Sequence, residues 1–561
     1  MKRILITALV AILMLGALGY LNRKAIVLFA VTNMESMEVD SHKPIAWDEG
    51  PTAANTPLSQ RPPNVIVILA DDLGINDIST FGGGVAGGLV PTPNIDRLAS
   101  DGALFKNAYS GTGTCAPSRA MLMTGRYPTR TGFEFTPTPP GMGRILSMFS
   151  QEYLEAAGLP QMVYNAKGEN ERPHYIDMGL PPEEVTIAEL LKKANYQAVH
   201  IGKWHLGRNG PFRAVRQGFD ESLLMANGLY LPEDHPDVVN AKLPFDPIDR
   251  FLWARMQFAA DFDKSTEPLS EDYFEPARYL TDYWTDESLK VIEANKNRPF
   301  FLYLAHWGIH TPLQATKADY EAVGDIRPHR LRVYAAMVRA LDRSVGRVMD
   351  KLEEEDLADN TIVVFSSDNG GAGYIGLPEV NAPYRGWKIT LFEGGIRVPM
   401  FVKWPARIPA GTSIDEPVAH IDILPTLAAA ANVTLPQDRV IDGQNLLPLA
   451  EGQEVAFERP NDAIFWSSGF YKVVRAGDWK LQVNERQKKV WLYDLANDPT
   501  EQRDLAEVRP GKRAELLALI DAHWEGSRGP LYPHSIETSI CIDTTMAEPS
   551  CDRGDYIIWP N

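Results

Sequence analysis

Residues 64–72 read N-V-I-V-I-L-A-D-D. From Asn64 to Ala70 the run is continuously apolar and rich in β-branched residues, the pattern of a strand buried on both faces. Such a strand belongs to a mostly parallel sheet with helices above and below it, which predicts an α/β fold. The run ends on two acids, Asp71 and Asp72, and open α/β sheets place their sites at the carboxyl ends of strands. Neighbouring carboxylates repel, and a cation between them relieves the repulsion. By itself an Asp-Asp pair reads equally as a solvated turn or a helix cap.

The same arrangement recurs along the chain. Residues 196–201 form a second strand candidate that ends in G-K-W-H-L-G, so Lys203 and His205 leave it on one side. Residues 299–305 form a third, followed by H-W-G-I-H-T-P with His306 and His310. A fourth, 361–366, runs into S-D-N-G-G with Asp368 and Asn369. These two would add hard oxygen ligands to those of Asp71 and Asp72, a set suited to Ca2+ or Mg2+ and not to zinc. Helical patterns separate the strands at 93–99, 182–194 and 280–295. Apolar residues at three- and four-residue spacing from Leu331 to Leu352 make the clearest helix and read as core packing. Residues 131–182 and 208–281 read as irregular insertions over the site, the second aromatic and acidic.

Between the first two strands lies C-A-P-S-R-A-M-L-M-T-G-R, residues 115–126. Pro117 suits the first turn of a helix, which puts Cys115 at the N-terminus, where backbone N–H groups and the dipole favour an anion. Arg119, four residues on, shares its face. Taken alone, the pair is a loop cysteine before an ordinary helix. The whole string resembles the signature of the type I sulfatases, C-x-P-S-R-x-x-x-[LM]-T-G-R, at every fixed position. Other blocks resemble the same family in its order: the 65–74 strand with D-D-x-G, G-K-W-H-L-G, H-T-P, S-D-N-G, the G-W-K…E-G-G-I-R-V-P block with Lys388, and L-Y-D-L-A-N-D-P-T-E near the end.

The resemblance covers about residues 63–506 and carries several implications. It implies an alkaline-phosphatase-like fold, a large mixed and mostly parallel sheet sandwiched by helices, with a smaller C-terminal α+β subdomain on an antiparallel sheet. Cys115 would be oxidised by a formylglycine-generating enzyme to formylglycine, whose hydrated aldehyde is the nucleophile. Asp71, Asp72, Asp368 and Asn369, with residue 115, would hold Ca2+ or Mg2+. Arg119, Lys203 and Lys388 would offset charge, and His310 or Lys388 would protonate the leaving oxygen. His205 would take the proton that lets sulfate depart. His306 reads as a supporting or packing residue. The expected reaction is hydrolysis of an aryl or carbohydrate sulfate, fragments of sulfated polysaccharide among them. A phosphonate monoester or phosphodiester hydrolase of the same superfamily shares the cysteine signature. If Cys115 stays a thiol, the chain is instead a sulfated-glycan-binding protein.

The 561 residues allow about two to four domains, and 44% hydrophobic content supports a large core. A net charge of −18 argues against nucleic acid held by bulk charge, so an anionic substrate needs a local positive focus. Cys541 and Cys551 lie close together in the C-terminal stretch, far from Cys115. A disulfide between them with Cys115 left over is one assignment, two reduced thiols the other. Lys2 and Arg3 precede an apolar run over 4–21, which reads as a secretory signal or an uncleaved anchor. Either predicts export to the periplasm, the outside or the membrane surface. The expected division is 1–31 signal or anchor, 32–62 linker, 63–431 catalytic domain, 432–530 C-terminal subdomain and 531–561 surface tail. Oligomeric state is not legible.

Overall fold

The computed structural model describes residues 14, 22–32, 37–269, 271–453, 457–548, 550–551 and 554–561. The apolar run over 4–21 lies outside the described residues except for Met14. Among the described residues, no helix is long and apolar enough to cross a membrane.

A nine-stranded sheet forms the centre. Its strands are β1 (Asn64–Ala70), β2 (Ala103–Phe105), β3 (Gln197–Gly202), β4 (Glu221–Gly228), β5 (Phe258–Lys264), β6 (Phe300–Ala305), β7 (Thr361–Ser367), β8 (Met400–Lys403) and β9 (Thr412–Ile414). The spatial order is β9-β2-β8-β7-β1-β6-β3-β4-β5. The middle five, β7-β1-β6-β3-β4, run parallel, whereas β8 and β5 pair antiparallel to β7 and β4. The sheet is therefore mixed and mostly parallel, as expected.

Period-two alternation divides β1 between two cores. Ile66, Ile68 and Ala70 face one, Val65, Val67 and Leu69 the other. On the first side pack α1 (Pro93–Ser100), the helix Leu280–Asn295 and the long helix His329–Glu354; on the second pack Cys115–Thr124, Ile187–Lys192 and Ile423–Ala430. In chain order we name these α1, α2 (Cys115–Thr124), α4 (Ile187–Lys192), α5 (Leu280–Asn295), α6 (His329–Glu354) and α7 (Ile423–Ala430), with α3 (Met142–Ala156) between α2 and α4. The expected start of α4 near residue 182 moves to Ile187. Thr186 Oγ1 accepts from the Glu189 N–H while the Glu189 carboxylate accepts from the Thr186 N–H, a capping box that sets the first turn.

Both expected insertions are more regular than their sequences suggest. The 131–182 stretch contains the fifteen-residue α3. The 208–281 stretch supplies β4 and β5, which extend the main sheet. Strand β5 reads F-A-A-D-F-D-K, and two acids hide a buried strand from pattern reading. Arg213 makes them tolerable by pairing with both Asp261 and Asp263.

Beyond the main sheet, β10 (Ala463–Ser468), β11 (Tyr471–Ala476), β12 (Trp479–Asn484) and β13 (Lys489–Asp494) form an antiparallel meander with α8 (Pro510–Trp524) against it. Residues 531–561, expected as a surface tail, instead form a ribbon of β14 (Ile536–Cys541) and β15 (Tyr556–Pro560). Strand β14 also pairs with the short Val163–Tyr164 strand, and Ile536, Ile540, Ile557 and Trp559 enter the C-terminal core. Cys541 and Cys551 are joined as a disulfide, which leaves Cys115 free and buried.

Candidate active site

Sheet register brings the site together. Ala70 lies opposite Ser367, Leu69 opposite Ala305, and Ala305 opposite Gly202. Four parallel strands therefore end at one level, and the residues just past their ends converge: Asp71-Asp72, Asp368-Asn369, Lys203 with His205, and His310. Cys115 is the first residue of α2, and all ten residues of that helix are buried. Gly125 closes the helix at φ +66, a left-handed conformation that suits glycine. Gly370 must lack a side chain, since a Cβ there would fall 2.0 Å from the Gly394 carbonyl oxygen.

Arg119 is wholly buried and organises the acids. Its Nε donates to Asp368 at 2.9 Å and its Nη2 to Asp71 at 3.1 Å, while Nη1 donates to the Lys203 carbonyl at 2.9 Å. Lys203 Nζ lies 2.6 Å from Asp71, and Lys388 Nζ donates to Asp72 at 2.8 Å. Three carboxylates thus face three cationic side chains. Burial and Asp368 push Asp71 up to about 6, against the pull of Lys203 and Arg119. Burial also opposes the charge on Asp72, but the Lys388 ammonium beside it outweighs this and holds that carboxyl far below the ordinary range.

The Cys115 thiol lies 3.6 Å from Asp71 and 3.9 Å from Asp72. Burial and Asp368 push its pKa well above the ordinary thiol value, and Lys203 and Lys388 offset this only in part. The helix N-terminus alone favours an anion, but here the surrounding carboxylates win. Residue 115 as cysteine is a neutral thiol and a poor nucleophile.

Both site histidines are held neutral, mainly by burial and then by neighbouring lysines. His310 Nδ1 donates to the Thr311 carbonyl at 2.7 Å, which leaves Nε2 to accept from Lys388 at 3.2 Å. Trp307 stacks on His310 with centroids 4.0 Å apart, and Lys203 Nζ sits 4.7 Å from the Trp307 ring centroid. His205 adopts φ +60 and shares a cavity of about 280 Å3 with Cys115, His310 and Lys388. His306 turns into the core, where Ser344 meets its Nε2 at 2.9 Å. Tyr374 is a site residue that sequence reasoning misses. Its hydroxyl donates to Asp72 at 2.8 Å and accepts from Lys388 at 3.0 Å. It lies in the short turn Gly373–Ile375, where no periodicity or motif marks a tyrosine.

The donor set fits a hard divalent cation. One ligand atom from each of Asp71, Asp72, Cys115 and His310 falls within 4.8 Å of all the others. Asn369 Oδ1 is buried without a hydrogen-bond partner among the described residues, although its Nδ2 donates to Asp72 at 2.8 Å. A buried acceptor left unpaired costs about 1–3 kcal/mol, and a bound cation would satisfy it. The cluster is close to neutral without an ion; a divalent cation would make it positive, the sign an anionic ester requires.

Comparison with known proteins points the same way. Residues 63–433 match the family model described as Sulfatase, and residues 386–516 match N-sulphoglucosamine sulphohydrolase, C-terminal. The chain is 35% identical to N-acetylgalactosamine-6-sulfatase of Homo sapiens over a 536-residue alignment covering 89% of this chain and 92% of that one. It is 31% identical to steryl-sulfatase of Homo sapiens over 559 aligned positions, covering 82% and 86%. Among solved structures, Ps i-CgsB in complex with k-i-k-neocarrahexaose superposes with a TM-score of 0.68 at 28% identity, covering 84% of this chain and 95% of that one.

Proposed function

The chain belongs to the sulfatase family and hydrolyses sulfate esters; from that premise we propose that position 115 works as formylglycine, produced from Cys115 by a formylglycine-generating enzyme. The observation that carries the reading is a free, buried, neutral cysteine heading α2 against two carboxylates, 3.6 and 3.9 Å away. A thiol so placed is a weak nucleophile, yet it faces the cavity in which an ester would sit.

Hydrated, the aldehyde would supply the attacking hydroxyl, and a divalent cation, Ca2+ by its donor set with Mg2+ as the other candidate, would when bound supply positive charge beside the sulfuryl group. Asp71, Asp72, Asp368 and Asn369 would hold that cation. Arg119 keeps Asp71 and Asp368 in place from beneath. Lys203 and Lys388 bind the anionic oxygens of the ester. The proton for the leaving oxygen comes from Lys388 Nζ, directly or through His310 Nε2, which already accepts from it. His205, kept neutral, accepts a proton from residue 115.

The relatives are named for a sulfated amino sugar and for a sterol, so carbohydrate and apolar alcohols both come into consideration. The basic start, the apolar run over 4–21 and the disulfide support export, with the membrane involved only through an N-terminal anchor. We take 63–431 as the catalytic unit and 432–530 as the C-terminal subdomain.

Peptide mass spectrometry across residue 115 tests the reading. The aldehyde mass is expected, with sulfate released from an aryl sulfate by the wild type and not by Cys115→Ala. An active protein carrying only the thiol overturns it.

A further inference from the structure

Lys388 is held at both of its ends. At the head, Nζ donates to Asp72 at 2.8 Å, to the Tyr374 hydroxyl at 3.0 Å and to His310 Nε2 at 3.2 Å, which uses every N–H of the ammonium. At the base, the Lys388 backbone N–H donates to the Gly371 carbonyl at 3.0 Å. The next residue, Ile389, has φ +85, a left-handed conformation that a β-branched side chain tolerates badly. Its N–H reaches the Gly113 carbonyl at 2.6 Å. Backbone strain of this kind persists only where the surroundings over-determine it.

The residue before Lys388 is Trp387, which is buried. Its Nε1 donates to the Cys541 carbonyl at 3.0 Å, where β14 ends and the disulfide loop begins. Arg385, two residues earlier, pairs with Asp543 inside that loop and with Asp555 beyond it. The loop also meets the turn that carries Tyr374, since the Met546 N–H donates to the Gly373 carbonyl at 3.2 Å. The Trp387 indole therefore stands between the C-terminal ribbon and the backbone of a site lysine. Lys388, Tyr374 and Ile389 line the cavity of Cys115, whereas Trp387 lies behind them.

We propose that Trp387 is a positioning residue for Lys388, and that the ribbon acts on the reaction by holding this indole. The inference rests on Lys388 serving the leaving oxygen and deepens that reading. A lysine side chain has many rotamers, so its ammonium keeps a fixed line to a reacting atom only when its base is fixed too. A misplacement of about 1 Å can cost about a hundredfold in rate.

Kinetics of Trp387→Phe, which keeps a ring and removes the N–H, test the proposal. Phenol is a much poorer leaving group than 4-nitrophenol, so phenyl sulfate depends more on a well-placed proton donor. Trp387→Phe is expected to lower kcat/KM about tenfold on phenyl sulfate and less than about threefold on 4-nitrophenyl sulfate. In a Lys388→Ala background the same substitution should cost less than about twofold on either ester, because no ammonium is left to position. Cys551→Ser, which frees the loop and leaves the indole, is taken through the same cycle, with thermal melts to confirm folding. If neither variant slows the enzyme, or if both slow it equally with and without Lys388, the proposal is overturned. If Lys388→Ala itself slows both esters equally, the assignment of the leaving-group proton to Lys388 falls, and the coupling still decides whether Trp387 acts through that lysine.

Discussion

Tyr374 shows what single residues contribute here. It ties Asp72 to Lys388, so a carboxylate assigned to the cation and a lysine assigned to the leaving oxygen share one phenol. Tyr374→Phe removes a hydrogen bond to a charged group, worth about 1.5–3 kcal/mol, and should lower kcat/KM by about ten- to a hundredfold. Steady-state kinetics on an aryl sulfate, with a thermal melt to confirm folding, measure this. The acids are a second case. Because Arg119, Lys203 and Lys388 already pair with them, the protein should stay folded when stripped of metal, yet lose activity. Exhaustive chelation should abolish sulfate release and lower Tm modestly, with Ca2+ restoring both. Full activity after verified metal removal would refute the cation's role. The acids and Lys203 were legible because each comes after a strand and sits in a matched block, Arg119 and Lys388 because their blocks match. Tyr374 was not, since only folding brings its turn onto Asp72.

At the scale of elements, the C-terminal ribbon departs most from expectation. Residues 531–561 are mostly polar and loop-like in sequence, and β14 and β15 alternate too briefly to stand out. Their pairing becomes visible only in three dimensions, where Arg385 also grips Asp543 inside the disulfide loop and Asp555 beyond it. The bridge spans a sequence separation of 10, so closing its loop is worth about 3 kcal/mol in the chain-entropy account. Cys551→Ser should make the ribbon open more often, so limited proteolysis under native conditions should cut within 531–561 roughly tenfold faster or more. An unchanged cleavage rate would mean that packing, not the bridge, holds the ribbon. Strand β5 was hidden for a different reason: its two acids are acceptable inside the sheet only because Arg213, from a distant turn, meets them.

For the molecule as a whole, the meander and the catalytic body share buried charge. Lys480 of β12 lies 2.9 Å from Glu393 and 3.0 Å from Glu501, all three fully buried. Burial alone would raise both acids. Lys480, Arg397 and Arg475 instead hold Glu393 down at about 2, whereas burial and Glu393 push Glu501 up to about 7. Lys480→Ala would leave the acids without their shared cation and should cost about 3–5 kcal/mol of stability, read as a lower urea midpoint. A shift under about 1 kcal/mol would show that the network contributes little. Glu393 belongs to the E-G-G-I-R-V run just after Lys388, so this network links the C-terminal meander to the segment carrying a site lysine.

Sequence alone determined the buried parallel strands β1, β3, β6 and β7, the order of the blocks, the acids and bases that follow those strands, and the cysteine at a helix start. Local pattern carries that information because a buried parallel strand must be continuously apolar and its C-terminal end is where the chain turns polar. Tertiary structure alone decided the charge state of Cys115, the partners of His310, the role of Tyr374 and the cavity walls contributed by α3 and the ribbon. These depend on which groups meet across hundreds of residues, and burial, pairing and cavity shape are properties of that meeting. Cys115 illustrates the division: its helix position was readable, but the carboxylates that hold its thiol neutral come from β1 and β7.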